Sequence, residues 1–270
     1  MFDISCVLKI AERAARQAGA AIVDDWNAHR SDVREKRTAE VVSSADLASD
    51  SIISSAIRAA FPSHRILSEE GNTADGYDAA GPLWIVDPID GSANYVRGHS
   101  YFAVSIAFAE NGIVQVGCVH APALRETFLA SKGAGATLNG NPIKVSSPRD
   151  LKHSVVSTGF PHEKNEIDHL LSKVNCILRH CNDVRRSASP VLDISYVGMG
   201  RLDAHTESLF AWDVAAAGLI AAEAGAKRSH LVAVPDGIPR DLFGEEVVFS
   251  APEIHDELVE RLSKSLGIKG

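Results

Sequence analysis

The chain has 270 residues, of which 45% are hydrophobic and 23% are charged, and its formal net charge is −8. This composition is typical of a soluble globular protein, and the negative charge argues against nucleic acid as a partner. No apolar run approaches the ~18 residues of a membrane span, and residues 1–17 lack the apolar core of a signal peptide. We therefore expect a cytoplasmic protein with no membrane partner.

The four cysteines, at positions 6, 118, 176 and 181, show neither a C-x-x-C pair nor the spacing of a zinc site. We predict free thiols in a reducing compartment. A bridge between Cys176 and Cys181 is the alternative.

In the first third of the chain, apolar residues recur at helical spacing over residues 3–26 and 46–61, which predicts two helices. Residues 36–42 between them are interpreted as a polar connection. Asp46 at the second helix start has an ordinary interpretation as a capping residue. A short strand over 64–67 leads into Glu69 and Glu70, which on sequence alone indicate an exposed turn. A polar loop is predicted over residues 72–81.

The stretch at 84–95, which reads WIVDPIDGSANY, is the centre of the sequence. The apolar run 83–86 predicts a buried strand, and we expect the following proline and glycine to break it. Asp87 and Asp90, three residues apart, can hold hard divalent cations. Ser92 can cap a helical turn, whose backbone N–H groups after Gly91 can hold a phosphate. An ordinary Asp/Gly turn remains the alternative.

The rest of the chain alternates strand and helix patterns. Strands are predicted over 101–109, 113–120, 125–130, 154–158, 202–205 and 247–250, and helices over 166–178, 190–198, 212–224 and 252–266. Glu110-Asn111-Gly112 predicts a hairpin between the first two of these strands. We expect an α/β protein with one continuous fold: an α+β half over 1–150 that carries most candidate metal ligands, and an α/β half over 151–270.

Three motifs together resemble the inositol monophosphatase family, the magnesium-dependent, lithium-sensitive sugar phosphatases. The stretch at 84–95 resembles its first signature, WDVAAAG at 212–218 resembles its second, and SEEG at 68–71 resembles its acidic loop. They occur in the right order over most of the chain. The resemblance implies a layered α-β-α-β-α sandwich of the inositol monophosphatase/fructose-1,6-bisphosphatase type.

The resemblance also implies a set of metal ligands for two or three Mg²⁺ ions: Glu69, Asp87, the backbone carbonyl of Ile89, Asp90 and Asp213. Oxygen donors suit Mg²⁺, and the absence of interleaved His or Cys argues against zinc. Without the other motifs, Asp213 would be interpreted as a helix cap. A chain of net negative charge needs such ions to attract a phosphate ester.

The catalytic residues that the resemblance implies are Asp46, Ser92 and Glu70. Asp46 and Ser92 would polarise the attacking water. The family usually has threonine at the position of Ser92. It also usually has threonine where this chain has Ser43 or Ser44. Glu70 would support the metal-binding glutamate beside it. The phosphate would rest on backbone N–H groups of Gly91, Ser92 and Ala93. The sequence contains no G-x-S-x-G motif, so a covalent serine mechanism is disfavoured.

Substrate contacts are implied for Asp213 and Glu207. Asn94 resembles the inositol phosphatase branch, and the branch that acts on nucleotide bisphosphates usually has an acidic residue there. Glu207 follows DAHT in a stretch that resembles the one with the family's substrate-contacting glutamate. It lies one residue closer to Asp213 than that pattern has it.

The resemblance thus implies a Mg²⁺-dependent phosphomonoesterase that acts on inositol-1-phosphate or a similar small polyol phosphate and is inhibited by Li⁺. Histidinol phosphate, fructose-1,6-bisphosphate and adenosine 3′,5′-bisphosphate are alternative substrates. A non-enzymatic regulatory protein is the alternative of another class, since some bacterial relatives bind the transcription machinery. The resemblance also implies a homodimer.

Overall fold

The computed structural model describes residues 3–28, 33–37, 40–71, 78–160 and 167–268. The helices are α1 (Ile4–Ala28), α2 (Ser44–Ala60), α3 (Ser92–Val96), α4 (Ile167–His180), α5 (Pro190–Gly198), α6 (Ala211–Glu223) and α7 (Pro252–Ser265). The strands are β1 (Val33–Arg37), β2 (Glu40–Ser43), β3 (Arg65–Ser68), β4 (Pro82–Asp90), β5 (Ala103–Glu110), β6 (Ile113–Ala121), β7 (Glu126–Ser131), β8 (Ala136–Leu138), β9 (Asn141–Pro142), β10 (Val155–Thr158), β11 (Asp183–Arg185), β12 (Ala204–Leu209), β13 (Lys227–His230) and β14 (Gly244–Ser250).

Two large sheets dominate the fold. The first has seven strands in the order β3-β4-β5-β6-β7-β8-β9, with β3 parallel to β4 and the other neighbours antiparallel. The second has five strands in the order β11-β10-β12-β14-β13. In it β10 runs parallel to both β11 and β12, and β14 runs antiparallel to both of its neighbours.

Three helical layers enclose these sheets. Helices α1 and α2 pack against strands of the seven-stranded sheet, and α5 and α6 lie between the two sheets. Helices α4 and α7 pack on the five-stranded sheet through a third apolar cluster. The order of layers is therefore α-β-α-β-α, which confirms the fold that the family resemblance implied.

Strand β4 shows why its sequence is apolar without alternation. Trp84 and Val86 pack in the cluster formed with α1 and α2, whereas Leu83 and Ile85 pack in the cluster formed with α5 and α6. A strand covered on both faces has no solvent side on which to place polar residues. The predicted buried strand is thus confirmed.

Helix α6 lies very close to the seven-stranded sheet. A Cβ atom on Gly117 in β6 would come within 2.7 Å of the Ala216 carbonyl oxygen, so only glycine fits there. On the helix side, Ala215, Ala216, Ala217 and Ala221 of α6 are at most 1% exposed. Small residues on both elements bring the first turn of α6 up to the edge of β4, where the acidic motif lies.

Two local predictions were wrong. Part of the stretch interpreted as a polar connection forms the β1–β2 hairpin, in which Val33 pairs with Ser43; its charged sequence has no apolar alternation to reveal a strand. Strand β4 does not end at Val86 but continues to Asp90. Its pairing with β5 shifts by one residue between Asp87 and Asp90, and Pro88 lies in this bulge, where the ladder needs no N–H donor.

Other sequence predictions have simpler outcomes. The predicted helices over 3–26, 46–61, 166–178, 190–198, 212–224 and 252–266 are confirmed within a few residues, except that residues 161–166 lie outside the described residues. Residues 72–77 of the predicted loop also lie outside them. The short strands β8, β9, β11 and β13 were not predicted, because two to four residues carry too little periodicity.

The four cysteines are free in the structure, as predicted. Cys118 and Cys176 are buried, and burial raises the pKa of both thiols. Among the described helices, none has the length and apolar character needed to cross a membrane.

Candidate active site

Three buried carboxylates from two distant parts of the chain meet at one point. Asp87 and Asp90 lie in the bulged end of β4, and Asp213 lies in the first turn of α6. One oxygen from each lies within 4.8 Å of the others, and the residues are only 2%, 5% and 8% exposed. Burial is the largest cause that raises the pKa of all three, and repulsion by neighbouring carboxylates raises it further.

Backbone and hydroxyl donors orient these carboxylates. The Ile89 N–H donates to Asp87 Oδ1 at 3.0 Å, and the Phe210 N–H donates to Asp213 Oδ2 at 2.8 Å. Asp90 Oδ2 accepts from the Val191 N–H at 2.9 Å and from the Ser189 hydroxyl. Because each of these contacts uses one carboxylate oxygen, the three groups are fixed in place while they retain capacity for a further ligand.

Glu69 also faces this cluster. Parallel pairing of β3 with β4 places Ser68 beside Val86, and the Glu69 N–H donates to the Val86 carbonyl oxygen at 3.1 Å. Its side chain shares a hydrogen bond with Asp87, and its charge contributes to the raised pKa of Asp87, Asp90 and Asp213. The interpretation of this stretch as a mere exposed turn was therefore wrong for Glu69. Glu70 is half-buried next to it, and its role stays a prediction.

Asp46 and Ser92 are brought together from positions 46 residues apart. Ser92 Oγ lies 2.7 Å from Asp46 Oδ1 and 2.8 Å from the Ile89 carbonyl oxygen. Asp46 lies in the first turn of α2 and is 2% exposed. Its carboxylate thus bonds a hydroxyl of the β4–α3 segment, which a helix cap alone would not require.

Gly91 makes the turn from β4 into α3. Its φ angle of 88° is left-handed, and a Cβ there would lie 3.0 Å from the Tyr101 carbonyl oxygen, so glycine is required on both grounds. The Gly91 carbonyl accepts the Asn94 N–H at 2.8 Å. The N–H groups of Ser92 and the exposed Ala93 lie in the first turn of α3, whose amides have no intrahelical acceptor.

Asn94 ties α3 to two neighbouring loops. Its side-chain amide donates to the carbonyl oxygens of Tyr101 and Ser187, both at 2.8 Å. In the sequence, Asn94 is only a marker of the substrate branch. In the structure both of these bonds are internal ones that stabilise the position of the segment carrying Ser92.

Glu207 lies near the end of β12, beside the acidic cluster. Its charge contributes to the raised pKa of Asp213, and its side chain is 16% exposed. The pairing of β12 with β14 changes register between Glu207 and Leu209, where Val247 and Gly244 are the partners. This irregularity accompanies the shortened spacing between Glu207 and Asp213.

Several residues around the site were not found from the sequence. Ser189 holds Asp90, Tyr101 donates from its hydroxyl to Asp193 at 2.8 Å, and His205 faces Glu207. The Ser-Pro pair before the predicted helix over 190–198 was a usable signal for Ser189. Asp193 and His205 had no such signal, because one lies inside a helix and the other inside a strand.

The donor set fits a hard divalent cation. Asp87, Asp90 and Asp213 offer carboxylate oxygens, Glu69 lies at their edge, and the Ile89 carbonyl lies between the two aspartates of β4. Buried carboxylates that repel one another are stabilised in the ionised form by a bound cation. These residues would hold Mg²⁺ or a similar ion, and no His or Cys belongs to the described cluster.

Comparison with known proteins places this chain in one family. The inositol monophosphatase family model matches residues 3–266. The Nus factor SuhB of Pasteurella multocida is 36% identical over 264 residues, which cover 96% of this chain and 97% of that protein. The extragenic suppressor protein suhB of Bartonella henselae is 31% identical with a TM-score of 0.87, over 96% of this chain and 99% of that one.

A third relative is the IMPase of Thermotoga maritima. It is 33% identical with a TM-score of 0.84, over 96% of this chain and 98% of that one. The family model and the relatives all extend over nearly the whole chain, in agreement with the three motifs. The chain belongs to the inositol monophosphatase family.

Proposed function

We propose that the protein is a Mg²⁺-dependent phosphomonoesterase that hydrolyses inositol-1-phosphate or a similar small polyol phosphate. The observation that carries this proposal is the cluster of Asp87, Asp90 and Asp213, whose oxygens converge within 4.8 Å in a buried position. Burial and mutual repulsion raise the pKa of each carboxyl group, and a multivalent cation would offset both effects. The remaining steps rest on the residues around this cluster.

Asp46 and Ser92 are proposed to orient the attacking water. When bound, Mg²⁺ would make water a better nucleophile and neutralise charge on the phosphate. Asp46 accepts a hydrogen bond from the Ser92 hydroxyl at 2.7 Å, which leaves the Ser92 oxygen able to accept a hydrogen bond from a water molecule. The N–H groups of Gly91, Ser92 and Ala93 would hold the phosphate oxygens.

Glu207 is proposed to select the alcohol part of the substrate. A carboxylate can accept hydrogen bonds from two adjacent hydroxyl groups, and a site built for them rejects compounds that lack them. Glu207→Gln should lower kcat/KM for inositol-1-phosphate. The loss should correspond to ~1–3 kcal/mol of transition-state stabilisation. p-Nitrophenyl phosphate offers no hydroxyl group to Glu207. Its kcat/KM should therefore stay within about twofold of the wild-type value.

The deciding experiment is a phosphate-release panel with and without Mg²⁺. It contains inositol-1-phosphate, histidinol phosphate, fructose-1,6-bisphosphate and adenosine 3′,5′-bisphosphate. We expect the highest kcat/KM for the polyol ester, loss of release in EDTA, and inhibition by Li⁺. If another member of the panel is preferred, that compound replaces inositol-1-phosphate as the proposed substrate. If no member releases phosphate, the enzymatic function is refuted.

A regulatory role is the second candidate, because the relative from Pasteurella multocida bears the name Nus factor SuhB. A pure binding protein has no physical need for converging buried carboxylates, so this candidate ranks below the enzyme. Asp90→Asn separates the two: a regulatory contact on the protein surface should survive this change, and hydrolysis should not. We also propose a homodimer by family resemblance, which light scattering after size exclusion would test.

A further inference from the structure

The carboxylate of Glu207 occupies a space that only a glycine leaves open. A Cβ atom on Gly159 would lie 1.5 Å from Glu207 Oε1 and 2.1 Å from Oε2, so any larger residue would displace the carboxylate. Gly159 directly follows β10, and Glu207 is near the end of the neighbouring strand β12. One side of the carboxylate is therefore bounded by backbone, which cannot move aside as a side chain can.

His205 bounds the carboxylate on another side. It precedes Glu207 by two residues in β12 and so lies on the same face of the strand. His205 Nε2 is 3.4 Å from Glu207 Oε2, and the residue is 0% exposed. Within the part of the chain that the structure describes, Nε2 makes no hydrogen bond, and the Glu207 carboxylate is a charged neighbour at ion-pair distance. A buried nitrogen of this kind is costly unless the carboxylate stays beside it.

The contacts of the other ring nitrogen assign the proton. His205 Nδ1 is 2.9 Å from the Ser157 hydroxyl and 3.9 Å from Asp193 Oδ2. If Nε2 carried a lone pair, that lone pair would face the Glu207 carboxylate in a buried position and repel it. We therefore assign the ring hydrogen to Nε2, with Nδ1 as the acceptor of the Ser157 hydroxyl.

Rigid elements hold the imidazole in this orientation. Ser157 comes from β10, and Asp193 from α5 is 2% exposed and accepts the Tyr101 hydroxyl at 2.8 Å. The ring is thus fixed from two elements besides its own. A group supported in this way can preorganise the residue in front of it.

We propose that His205 is a positioning residue which, together with Gly159, fixes the Glu207 carboxylate before the substrate binds. A carboxylate held in one orientation selects substrates that present adjacent hydroxyl groups at the matching position. This inference rests on the proposed function, in which Glu207 contacts the polyol. It assigns the selectivity for polyol phosphates to two residues that do not themselves touch the substrate.

The test compares three variants on two substrates with Mg²⁺ present. His205→Phe removes the donor, His205→Gln keeps an N–H group, and Gly159→Ala displaces the carboxylate from the side of the β10 backbone. For inositol-1-phosphate, His205→Phe and Gly159→Ala should each lower kcat/KM about tenfold, mainly through KM, and His205→Gln should restore most of the loss. For p-nitrophenyl phosphate, all three should stay within about twofold of wild type.

The same changes in a Glu207→Ala background are the control. Without the carboxylate, His205→Phe and Gly159→Ala should cause no further loss on inositol-1-phosphate, because there is nothing left to position. Equal losses on both substrates, or an undiminished loss in the Glu207→Ala background, would overturn the inference. Thermal unfolding verifies that each variant folds. If His205→Phe does not fold, the test uses Gly159→Ala.

Wild-type activity separates this inference from the function on which it rests. If wild type hydrolyses inositol-1-phosphate and the variants hydrolyse it equally well, only the positioning role fails. If wild type hydrolyses neither substrate with Mg²⁺, the proposed function fails and the inference fails with it.

Discussion

Two buried clusters in the described part of the chain contain carboxylates, and they differ in how this negative charge is balanced. One is the group of Asp87, Asp90 and Asp213 at the end of β4. The other surrounds Glu246 in β14, which is 6% exposed and lies against Lys173 of α4, with Lys173 Nζ 2.8 Å from Oε1 and 2.7 Å from Oε2. His169 Nε2 is 3.0 Å from the same Oε1.

The pKa values move in opposite directions in the two clusters. Burial tends to raise the pKa of Glu246, but the charge and hydrogen bond of Lys173, with help from His169, outweigh it and the pKa is lowered. In the aspartate cluster, burial and neighbouring carboxylates act in the same direction and raise the pKa. Burial therefore does not distinguish a ligand site from an internal ion pair.

What distinguishes them is the source of the compensating charge. The chain supplies a cation to Glu246, and Ser208 Oγ completes the contacts at 3.1 Å, so this cluster joins α4 to β12 and β14. The aspartate cluster receives hydrogen-bond donors that orient its oxygens. We therefore expect substitutions around Glu246 to change stability and substitutions in the aspartate cluster to change activity.

Lys173→Met should give the largest effect on stability. It leaves the buried Glu246 without its ammonium partner, and breaking a buried pair costs about 3 kcal/mol in the free energy of unfolding. Urea denaturation measures this loss, and p-nitrophenyl phosphate hydrolysis should be unchanged. Lys227→Met is the matched control, because its pair with Asp256 is exposed and should contribute little. Equal stability of both variants would contradict the comparison.

Asp90→Asn should show the opposite behaviour. We expect turnover to fall by at least ~10²-fold, since a preorganised charged group is lost. The metal-free protein should become more stable by about 1 kcal/mol, because one of several buried like charges is removed. Phosphate release and urea denaturation in EDTA measure the two effects. Full activity of Asp90→Asn, or of wild type in EDTA, would rule out the metal mechanism.

Ser92→Ala examines the hydroxyl at the edge of the aspartate cluster. Turnover should fall about tenfold while KM changes little, because the hydroxyl is proposed to act on the water and not on the bound ester. Ser92→Thr should keep most activity, since it retains the oxygen that bonds Asp46 at 2.7 Å. Normal turnover of the alanine variant would reduce Ser92 to a helix-starting residue.

The sequence predicted those features that depend on local pattern. The helices followed from 3.6-residue periodicity, and β4 followed from its apolar run, with Trp84 and Leu83 on opposite faces. The bulge between Asp87 and Asp90 could not be read in the same way. It depends on the partner strand, since a shift of pairing leaves no mark in the composition of β4 itself.

Contacts between distant segments needed the structure or the family. Glu69 reads as part of an exposed turn until parallel pairing of β3 with β4 brings it to Asp87. The motifs pointed to it only through resemblance. His205 had neither signal, because a histidine inside a short strand is most simply a core residue, and its meaning comes from Glu207 two positions later.

The last prediction concerns pH and has the smallest expected effect. A carboxyl group whose folded pKa is raised contributes stability below its unfolded pKa, and this contribution is lost as pH rises through the folded value. Asp87, Asp90 and Asp213 should therefore lower the stability of the metal-free protein as pH increases. Glu246, whose pKa is lowered, contributes in the other sense, since its stabilisation is lost as pH falls.

Bound Mg²⁺ should reverse the trend of the aspartate cluster, because it favours the ionised form. The increase in Tm on adding Mg²⁺ should thus grow as the pH rises from the pKa of an unfolded aspartate towards neutrality, with roughly 2–4 °C for each kcal/mol of added stability. Thermal unfolding in EDTA and in Mg²⁺ across this range measures it. Asp90→Asn should flatten the dependence, and Lys173→Met should leave it intact. An increment that is equal at every pH would show that the cation does not bind at these carboxylates.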